Sequence, residues 1–332
     1  MSCHLGISSL IWSPTQNILA STNWDSGIRV WEVAEQNGQI QANPKAKANH
    51  DSQAPVLTSC FSPDGSKVFS GGCDKAVRMW QLGSPTNNNV PQQIGVHDEP
   101  VSCVGYLPNS NIVVSGSWDR KLKFWDMRAP QPVATLDMPD RVYDLDVRGS
   151  LMVVATAGRQ IISYDVSGQP REHSRKESPL KYQSRCISCF TDTTGFAVGS
   201  IEGRVGIHYL QKVAGKDSFA FKCHRQESQV YSVNAICFHN QFGTFATVGS
   251  DGVVNFWDKD NKQRLKGFNA IQRPIPCANF NAQGNLFAYA SSYDWSKGSQ
   301  FHAPGTPNEI FIHYTAEEEI KPKGKKSGYK SR

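Results

Sequence analysis

The sequence predicts an all-β, single-domain protein, a β-propeller of seven blades. A phrase of small residues, Asp, alternating apolar residues and Trp returns at intervals of about 40–57 residues, which marks a repeated supersecondary unit. Each copy contains short segments of period two separated by turn residues. The copies reach both ends of the 332-residue chain and leave no room for a second globular domain. We therefore assign residues 1–320 to the propeller and 321–332 to a basic, disordered tail.

Seven copies can be counted, four of them strong and three weaker. The strong copies span 19–33, 69–81, 114–126 and 247–258, and the weaker ones span 154–166, 197–210 and 289–298, the last continuing at 309–315. Their third strands are predicted to end at Trp31, Trp80, Trp125, Tyr164, Tyr209, Trp257 and Tyr314. This number lies within the range of about four to eight blades that propellers adopt.

The third copy shows why each strand is expected. Segment 97–108 begins with a polar corner and continues with alternating apolar residues, and 111–117 is apolar and then small. Residues 118–121 form the turn, because an Asp can hydrogen-bond its own backbone there. Segments 122–127 and 132–138 supply the third and fourth strands. Small residues at the end of the second strand allow neighbouring sheets to approach closely near the axis.

A polar set recurs with the blades. His97, Ser115, Asp119 and Trp125 reappear as His224, Thr247, Asp251 and Trp257. The set contains the residue types of a Ser–His–Asp triad, but a catalytic triad occurs once in a chain, whereas this set is repeated. We therefore predict a buried structural network and no catalytic residue. A metal-dependent hydrolase would need carboxylates or histidines on the inner strands, and we expect these strands to offer mainly Val, Ala, Cys and Ser.

Composition narrows the classes of partner. The net charge of +6 and pI near 8.8 favour acidic partners, although a dedicated DNA-binding domain is usually more basic. No apolar run approaches the roughly 20 residues of a membrane span, so no membrane insertion is expected. Cys186 and Cys189 lie three apart in a strand pattern and point to opposite faces, so we predict neither a metal site nor a cofactor.

Function is expected where copies depart from their own pattern. Trp24 and Trp118 precede the turn Asp in blades one and three, where they either contact a partner or lie flat over the neighbouring blade. In blade five, Arg204 follows a turn in which Glu202 replaces Asp. Aromatic residues with Arg nearby are typical of binding hot spots.

Two further clusters combine basic and aromatic residues. Lys222, His224 and Arg225 stand just before blade six. Segment 291–298 precedes a Gly- and Pro-containing excursion, which should project from the disc and present Trp295 and Lys297 to solvent. Such surfaces bind single-stranded nucleic acid by stacking and phosphate contact, or an acidic peptide.

The phrases GSIEGRV, FKCHR, ESPLK, GSWDRKLKFWD and SSYDWSKG together resemble the GLEBS-binding family of WD-repeat proteins over nearly the whole chain. This family includes mRNA export factors of the nuclear pore and spindle-checkpoint WD proteins of kinetochores. SSYDWSKG favours the export branch, whereas HNQFGTFATVGSDG and TAGR lean toward the checkpoint branch. The resemblance implies a seven-bladed WD-repeat β-propeller.

The resemblance also implies a function. It indicates a non-enzymatic adaptor, without cofactor, that binds the GLEBS segment of a phenylalanine-glycine nucleoporin and RNA or ribonucleoprotein. Such an adaptor is a monomer within a heteromeric complex. It is expected in the nucleus, at the nuclear pore and envelope, with some in the cytoplasm, and on the spindle in mitosis. The alternative is a kinetochore checkpoint adaptor that binds GLEBS motifs of checkpoint kinases.

The family's binding roles can be carried over to individual residues of this chain. The residues expected to contact the partner are Trp24, Trp118, Arg204, Lys222, His224 and Arg225. Those expected to contact RNA are Arg273, Trp295 and Lys297. The sequence leaves three alternatives for how blade seven is completed. Residues 315–323 supply its fourth strand, or the blade keeps three strands and an open edge, or the chain is shortened at its start.

Overall fold

The computed structural model describes residues 2–3, 6–36, 39–50, 52–83, 91–212, 215–303 and 305–324. These residues form seven four-stranded antiparallel sheets and one two-stranded hairpin. The innermost strands of successive sheets contact one another around a closed ring. The predicted all-β propeller of seven blades is therefore confirmed. The tail residues 325–332, for which we predict disorder, lie outside the described residues.

The first three blades follow the N-terminal strand β1 (Ser2–Cys3). Blade one consists of β2 (Ile7–Trp12), β3 (Ile18–Asn23), β4 (Gly27–Gln36) and β5 (Gln39–Asn49). Blade two consists of β6 (Val56–Phe61), β7 (Lys67–Gly72), β8 (Ala76–Gln81) and β9 (Gln92–Val96). Blade three consists of β10 (Val101–Leu107), β11 (Ile112–Ser117), β12 (Lys121–Asp126) and β13 (Ala134–Asp137).

The next two blades lead into the hairpin. Blade four consists of β14 (Val142–Arg148), β15 (Leu151–Thr156), β16 (Gln160–Asp165) and β17 (Arg171–Glu177). Blade five consists of β18 (Ser184–Cys189), β19 (Gly195–Ser200), β20 (Arg204–Tyr209) and β21 (Phe219–Lys222). The hairpin strands are β22 (Arg225–Gln226) and β23 (Gln229–Val230).

Two blades and two short helical turns complete the chain. Blade six consists of β24 (Val233–Phe238), β25 (Phe245–Gly249), β26 (Val254–Asp258) and β27 (Gln263–Gly267). Blade seven contains β28 (Ala278–Phe280), β29 (Leu286–Ser291) and β30 (Asn308–Tyr314). A 3-10 turn spans Ser299–Phe301, and helix α1 spans Glu317–Ile320. Among the described residues, no helix is long and apolar enough to cross a bilayer.

Antiparallel order within each blade sorts the loops onto two faces. The first strand of each blade lines the central channel and the fourth lies outermost. Chain direction alternates, so the turns between second and third strands lie on the same face as the connections from each blade to the next. We call this side the turn face. It carries the turns after β3, β7, β11, β15, β19, β25 and β29, and the connections into β6, β10, β14, β18, β24 and β28.

The core is divided into apolar clusters between adjacent blades. Each of the seven junctions has its own cluster, built from the facing sides of two neighbouring sheets. Glycines near the ends of the second strands permit this close packing. A Cβ on Gly71 would lie 2.4 Å from a methyl of Val101, and one on Gly116 would lie 2.6 Å from a methyl of Val142. The small residues in the repeat are therefore required by the first strand of the next blade.

Blade seven takes its fourth strand from the N-terminus. Ser2 pairs with Glu309 and Cys3 pairs with Asn308. Two of the alternatives that the sequence left open are thereby excluded: segment 315–323 contains α1 and no strand, and the blade does not keep three strands. Three Glu residues open the first turn of the helix, where they complement its dipole. Ile320 is buried in the cluster between blades six and seven.

The recurring polar set forms the same hydrogen bonds in different blades. In blade three, His97 contacts Asp119 at 2.8 Å and Ser115 at 2.7 Å, and the Trp125 indole N–H donates to Ser115 at 2.8 Å. In blade six, His224 contacts Asp251 at 2.8 Å and Thr247 at 2.9 Å. There the Trp257 indole donates to Thr247 at 2.9 Å. A third copy joins His50 to Asp74 and Ser70 in blade two.

Asp119 is a branch point of this network. Burial acts to raise the pKa of its carboxyl, but the His97 ring and the N–H groups of Asp98 and Lys121 outweigh that effect and hold the pKa below its usual value. The carboxylate therefore stays ionised and ties the turn of blade three to the preceding connection.

We expect Asp119→Ala to lower the free energy of unfolding by about 1–3 kcal/mol, because it leaves the His97 ring and two backbone donors without their acceptor. Urea denaturation of the purified protein measures the change. The control is Asp98→Ala, whose side chain is 74% exposed and whose loss should cost less than about 0.5 kcal/mol. Equal effects of the two substitutions would contradict a structural role for the network.

Candidate binding surface on the turn face

All the residues for which we predict partner or RNA contacts lie on the turn face. Trp24 and Trp118 stand in second-to-third strand turns, and Trp295 and Lys297 stand in the corresponding excursion of blade seven. The residues next to or within blade-to-blade connections are Lys222, His224, Arg225 and Arg273, and Arg204 begins the third strand of blade five. The face is shared by these residues, but they do not form one cluster.

Apolar side chains on the same face are exposed to solvent. Trp118 is 39% exposed, and larger fractions are exposed for Tyr182, Ile201, Val230 and Phe301. Sequence analysis singled out Trp118 and missed the other four. Each of them stands in a connection or turn or at its border, and Val230 stands in the short hairpin within such a connection, outside the packed sheets of the blades. The sequence signal that could have identified them is a large apolar residue in a turn or connection.

The basic residues of blade five stand side by side. Arg204 and Lys222 are directly opposite each other across β20 and β21. Like charges in cross-strand register repel each other. Glu202 lies 3.5 Å from Arg204 and offsets part of that charge, and Lys222 is exposed. An acidic ligand placed over this pair would relieve the repulsion.

His224 and Arg225 are held in structural contacts. The His224 ring is fully buried in the blade-six network, so the expectation that it also contacts a partner is wrong. Arg225 donates to the carbonyl oxygens of Glu202, at 2.8 Å, and Gly203, at 3.5 Å. It therefore fixes the hairpin β22–β23 against the turn of blade five. The N–H groups used in these bonds do not serve a partner.

The blade-seven excursion is fastened to blade one by stacked rings. Trp295 lies between Trp24, at a centroid distance of 4.2 Å, and His302, at 5.2 Å. Trp24 thus lies flat over its neighbouring blade, one of the two alternatives from the sequence. Trp295 is half-buried, which differs from the expectation that it faces solvent, because a ring covers each of its faces. Lys297 is exposed, and Arg273 donates to the Pro307 carbonyl oxygen.

Two carboxylates on β14 face the central channel, a feature that sequence analysis missed. Asp144 and Asp146 line a cavity of about 800 Å³, contrary to the expectation that the inner strands offer mainly Val, Ala, Cys and Ser. Each also bridges to blade five. Asp144 accepts the Ile187 N–H at 2.8 Å, and Asp146 accepts the Cys189 N–H at 2.7 Å. Within the described part of the chain, no group of three or more His, Cys, Asp or Glu side chains is arranged to hold a metal ion.

Burial raises the pKa of Asp144 to about 7, although the N–H groups of Ile187 and Leu145 favour its charged form. The pKa of Asp146 is raised for the same reason. The carboxylates thus act as bridges between blades four and five, in a place where the inner strands share no backbone ladder.

Comparison with known proteins defines the family. The WD domain, G-beta repeat family matches residues 1–32, 45–81, 89–126 and 215–258. The chain is 47% identical over 318 residues to Protein RAE1 of Arabidopsis thaliana, covering 96% of this chain and 90% of that protein. It is 48% identical over 337 residues to the mRNA export factors of Xenopus tropicalis and Danio rerio, covering 96% of this chain and 89% of each relative.

This chain belongs to the mRNA export factor family of WD-repeat proteins. The export factors are one branch of the GLEBS-binding family that the sequence resembles. Both that resemblance and the measured similarity extend over nearly the whole chain. A WD-repeat propeller in this family is consistent with a non-enzymatic scaffold.

Asp144 leads to a prediction about pH. Its pKa is about 7 in the folded protein and near 3.9 when unfolded, so the folded state binds the extra proton between these values. Stability should therefore fall as pH rises through this window. We expect Asp144→Asn to remove that contribution, so that the variant gains stability relative to the wild type between about pH 4 and pH 7.

Urea denaturation of both proteins at a series of pH values gives the difference between their free energies of unfolding. Groups that titrate alike in both proteins do not contribute to this difference. Asp98→Asn, which changes an exposed carboxyl, is the control. A difference between Asp144→Asn and wild type that does not vary with pH would contradict the raised pKa.

Proposed function

We propose that the chain is a non-enzymatic adaptor in mRNA export that binds the GLEBS segment of a phenylalanine-glycine nucleoporin on its turn face. The observation that carries the proposal is the combination of exposed apolar side chains with a cross-strand basic pair on that face. Its relatives named mRNA export factor are 48% identical over almost their whole length, which favours the export role over the checkpoint alternative.

The chemistry of the turn face fits an acidic segment with apolar anchors. Trp118, Tyr182, Ile201 and Val230 offer apolar area that loses water on binding. Arg204 and Lys222 supply positive charge beside it, which steers and orients an acidic partner. The propeller is rigid because its blades are packed on both sides, so little ordering entropy is lost on its side of the interface.

RNA contact is proposed at the blade-seven excursion. Lys297 is exposed there and Phe301 is 58% exposed, which places a cation and an aromatic ring on one short segment. Single-stranded RNA binds such surfaces by phosphate contact and base stacking. Trp295 and Arg273 are half-buried, so each would contact RNA only through the part of its side chain that is exposed.

The cellular setting follows from this proposal. We expect the protein in the nucleus and at the nuclear pore and envelope, with some in the cytoplasm, and on the mitotic spindle. It would act as a monomer within a heteromeric complex with the nucleoporin and ribonucleoprotein. A tagged protein confined to unattached kinetochores in mitosis, and absent from the nuclear rim in interphase, would contradict the export role.

We expect Arg204→Glu combined with Lys222→Glu to weaken binding of a GLEBS peptide at least about tenfold, because attraction is replaced by repulsion. Isothermal titration calorimetry measures the dissociation constant. Arg225 is left unchanged because it holds the hairpin in place.

The matched control is Lys212→Glu combined with Arg264→Glu, two exposed basic residues away from the candidate surface. It makes the same change in net charge, so an effect of overall charge would appear in both double variants. Unchanged affinity of the first double variant would show that the peptide binds elsewhere, and failure of the wild type to bind would contradict the proposed function.

A second prediction concerns RNA. Lys297→Gln should reduce the slope of log affinity against log salt for oligouridylate by about 0.7, the value for one lost contact to a single strand. Phe301→Ala should weaken binding by about 1 kcal/mol at every salt concentration and leave that slope unchanged. Fluorescence anisotropy with labelled oligouridylate gives both quantities.

Lys212→Gln serves as the control for charge, since it removes an exposed cation away from the excursion. Equal slopes for Lys212→Gln and Lys297→Gln would place the RNA outside the blade-seven excursion.

A further inference from the structure

Blade seven has the shortest outer strand in the described part of the chain. β1 pairs with β30 at Asn308 and Glu309 only. The fourth strands of the other six blades pair with their neighbours over four or more residues. Residues 310–314 of β30 therefore pair with β29 on one side, while no described strand pairs with them on the other. We call this stretch the open edge of blade seven.

The backbone groups that the open edge presents follow from the phase of the ladder. The Thr315 N–H donates inward to the Asn285 carbonyl oxygen at 2.8 Å. Because successive residues of an antiparallel strand bond to opposite sides, the N–H and C=O groups of Ile312 and Tyr314 point away from β29. An edge of this kind is a template on which an extended segment can add through main-chain hydrogen bonds.

A cleft of about 630 Å³ lies beside the open edge. It is lined by Tyr314 and by Glu35, Gln39 and Ile40 of the β4–β5 hairpin in blade one. Ile40 packs against the apolar cluster between blades seven and one, and Tyr314 is 55% exposed. The cleft therefore offers an aliphatic side chain and an aromatic ring as walls for one large apolar group.

The open edge is flanked on both sides. On one side stands the β4–β5 hairpin, whose strands of 10 and 11 residues are the longest that the structure describes. On the other side stands α1, where Glu319 contacts the His313 ring at 2.7 Å. A single extended segment can enter between them, whereas the sheet edge of a second disc would meet the hairpin and the helix first. The geometry thus selects a peptide segment over a second propeller.

The side chains around the open edge carry an excess of negative charge. Glu35, Glu309 and Glu318 are exposed, and none of them forms an ion pair with another described residue. The lysines of the same region are each paired with a different glutamate: Lys45 with Glu32, Lys266 with Glu319, and Lys321 with Glu317. A basic segment is therefore favoured over an acidic one.

The C-terminal segment 325–332 has the complementary chemistry. It reads KKSGYKSR, with four basic residues, no acidic residue and one aromatic residue, Tyr329. Just before it, Asn261 and Gln263 of blade six bind the Lys323 carbonyl oxygen, each at 3.3 Å. Blade six adjoins blade seven, and eight extended residues span about 26 Å, so the segment starts close enough to reach the open edge.

We propose that segment 325–332 docks on the open edge of blade seven, with the Tyr329 ring in the cleft between Tyr314 and Ile40. The segment adds to β30 as a further outer strand, and its basic residues lie beside the unpaired glutamates. The sequence predicts disorder for the segment alone, so docking must order it. Attachment to the same chain offsets part of that cost, because it gives an effective concentration on the order of millimolar. The contact lies on the rim, and neither GLEBS nor RNA binding enters the argument.

The test is hydrogen–deuterium exchange of the full chain, followed by mass spectrometry on fragments that contain 310–314. We expect Tyr329→Ser to speed exchange of the Ile312 and Tyr314 amides about tenfold, because the ring that holds the added strand is lost. The matched control is Tyr182→Ser, which removes a tyrosine that is 57% exposed on the turn face. It should leave exchange at 310–314 as in the wild type.

Equal exchange rates at 310–314 in the wild type and Tyr329→Ser would overturn the inference. So would faster exchange in both variants, since that points to a general loss of stability rather than to a local contact. Protection that rises with protein concentration would place the segment on a second copy and would overturn the intramolecular contact.

The charge of the site is tested separately. Glu35→Gln combined with Glu309→Gln should speed exchange at 310–314 about threefold at low salt and have less effect at high salt, because screening weakens the attraction in the wild type as well. The control is Asp98→Asn combined with Glu99→Gln, two exposed carboxyls in blade three that make the same change in net charge. Equal effects of the two double variants would contradict an acidic docking site at blade seven.

Discussion

The structure depends on packing between blades. A single four-stranded sheet cannot bury both of its faces, so each blade is stable only when a neighbour covers each side. The seven apolar clusters are placed accordingly, one at every junction, including the junction between blades seven and one. Closure of the ring is therefore a condition for all of the core. The Trp24–Trp295 stack, and the bond from the Ile7 N–H to the Ser292 hydroxyl at 3.0 Å, add to that closure on the turn face.

Loops on a closed ring can change without loss of the core, which explains where the irregular residues stand. Blades two, three and six carry the His–Asp network at their turns. In blade four, Arg159 replaces it and donates to the carbonyl oxygens of Leu180 and Lys181, and in blade five Arg225 holds the turn. The exposed residues Tyr182 and Ile201 stand next to these substitute contacts. The contacts that replace the His–Asp network and the residues proposed to bind a partner thus lie in the same connections.

The strands that line the channel also use equivalent positions for different contacts. In blades one to six, one residue near the start of the first strand is bulged towards the channel. Ser8 and Ser102 use this position to bond the next blade, and Arg185 uses it to donate to the carbonyl oxygen of Asp294 in blade seven. Below it, Asp144 and Asp146 bridge blades four and five through backbone N–H groups. The inner surface is polar because neighbouring first strands are joined by side chains rather than by a backbone ladder.

Sequence alone determined the class of fold, the number of blades and the polar network, because each depends on local spacing repeated along the chain. His224 belongs to two patterns in the sequence, and only tertiary burial assigned it to the network. Tertiary structure likewise decided that β1 closes blade seven, that rings cover Trp295, and that Asp144, Asp146 and Arg185 converge on one channel. Those facts join residues far apart in sequence or depend on which side of a bulged strand a side chain takes, and no local pattern records either.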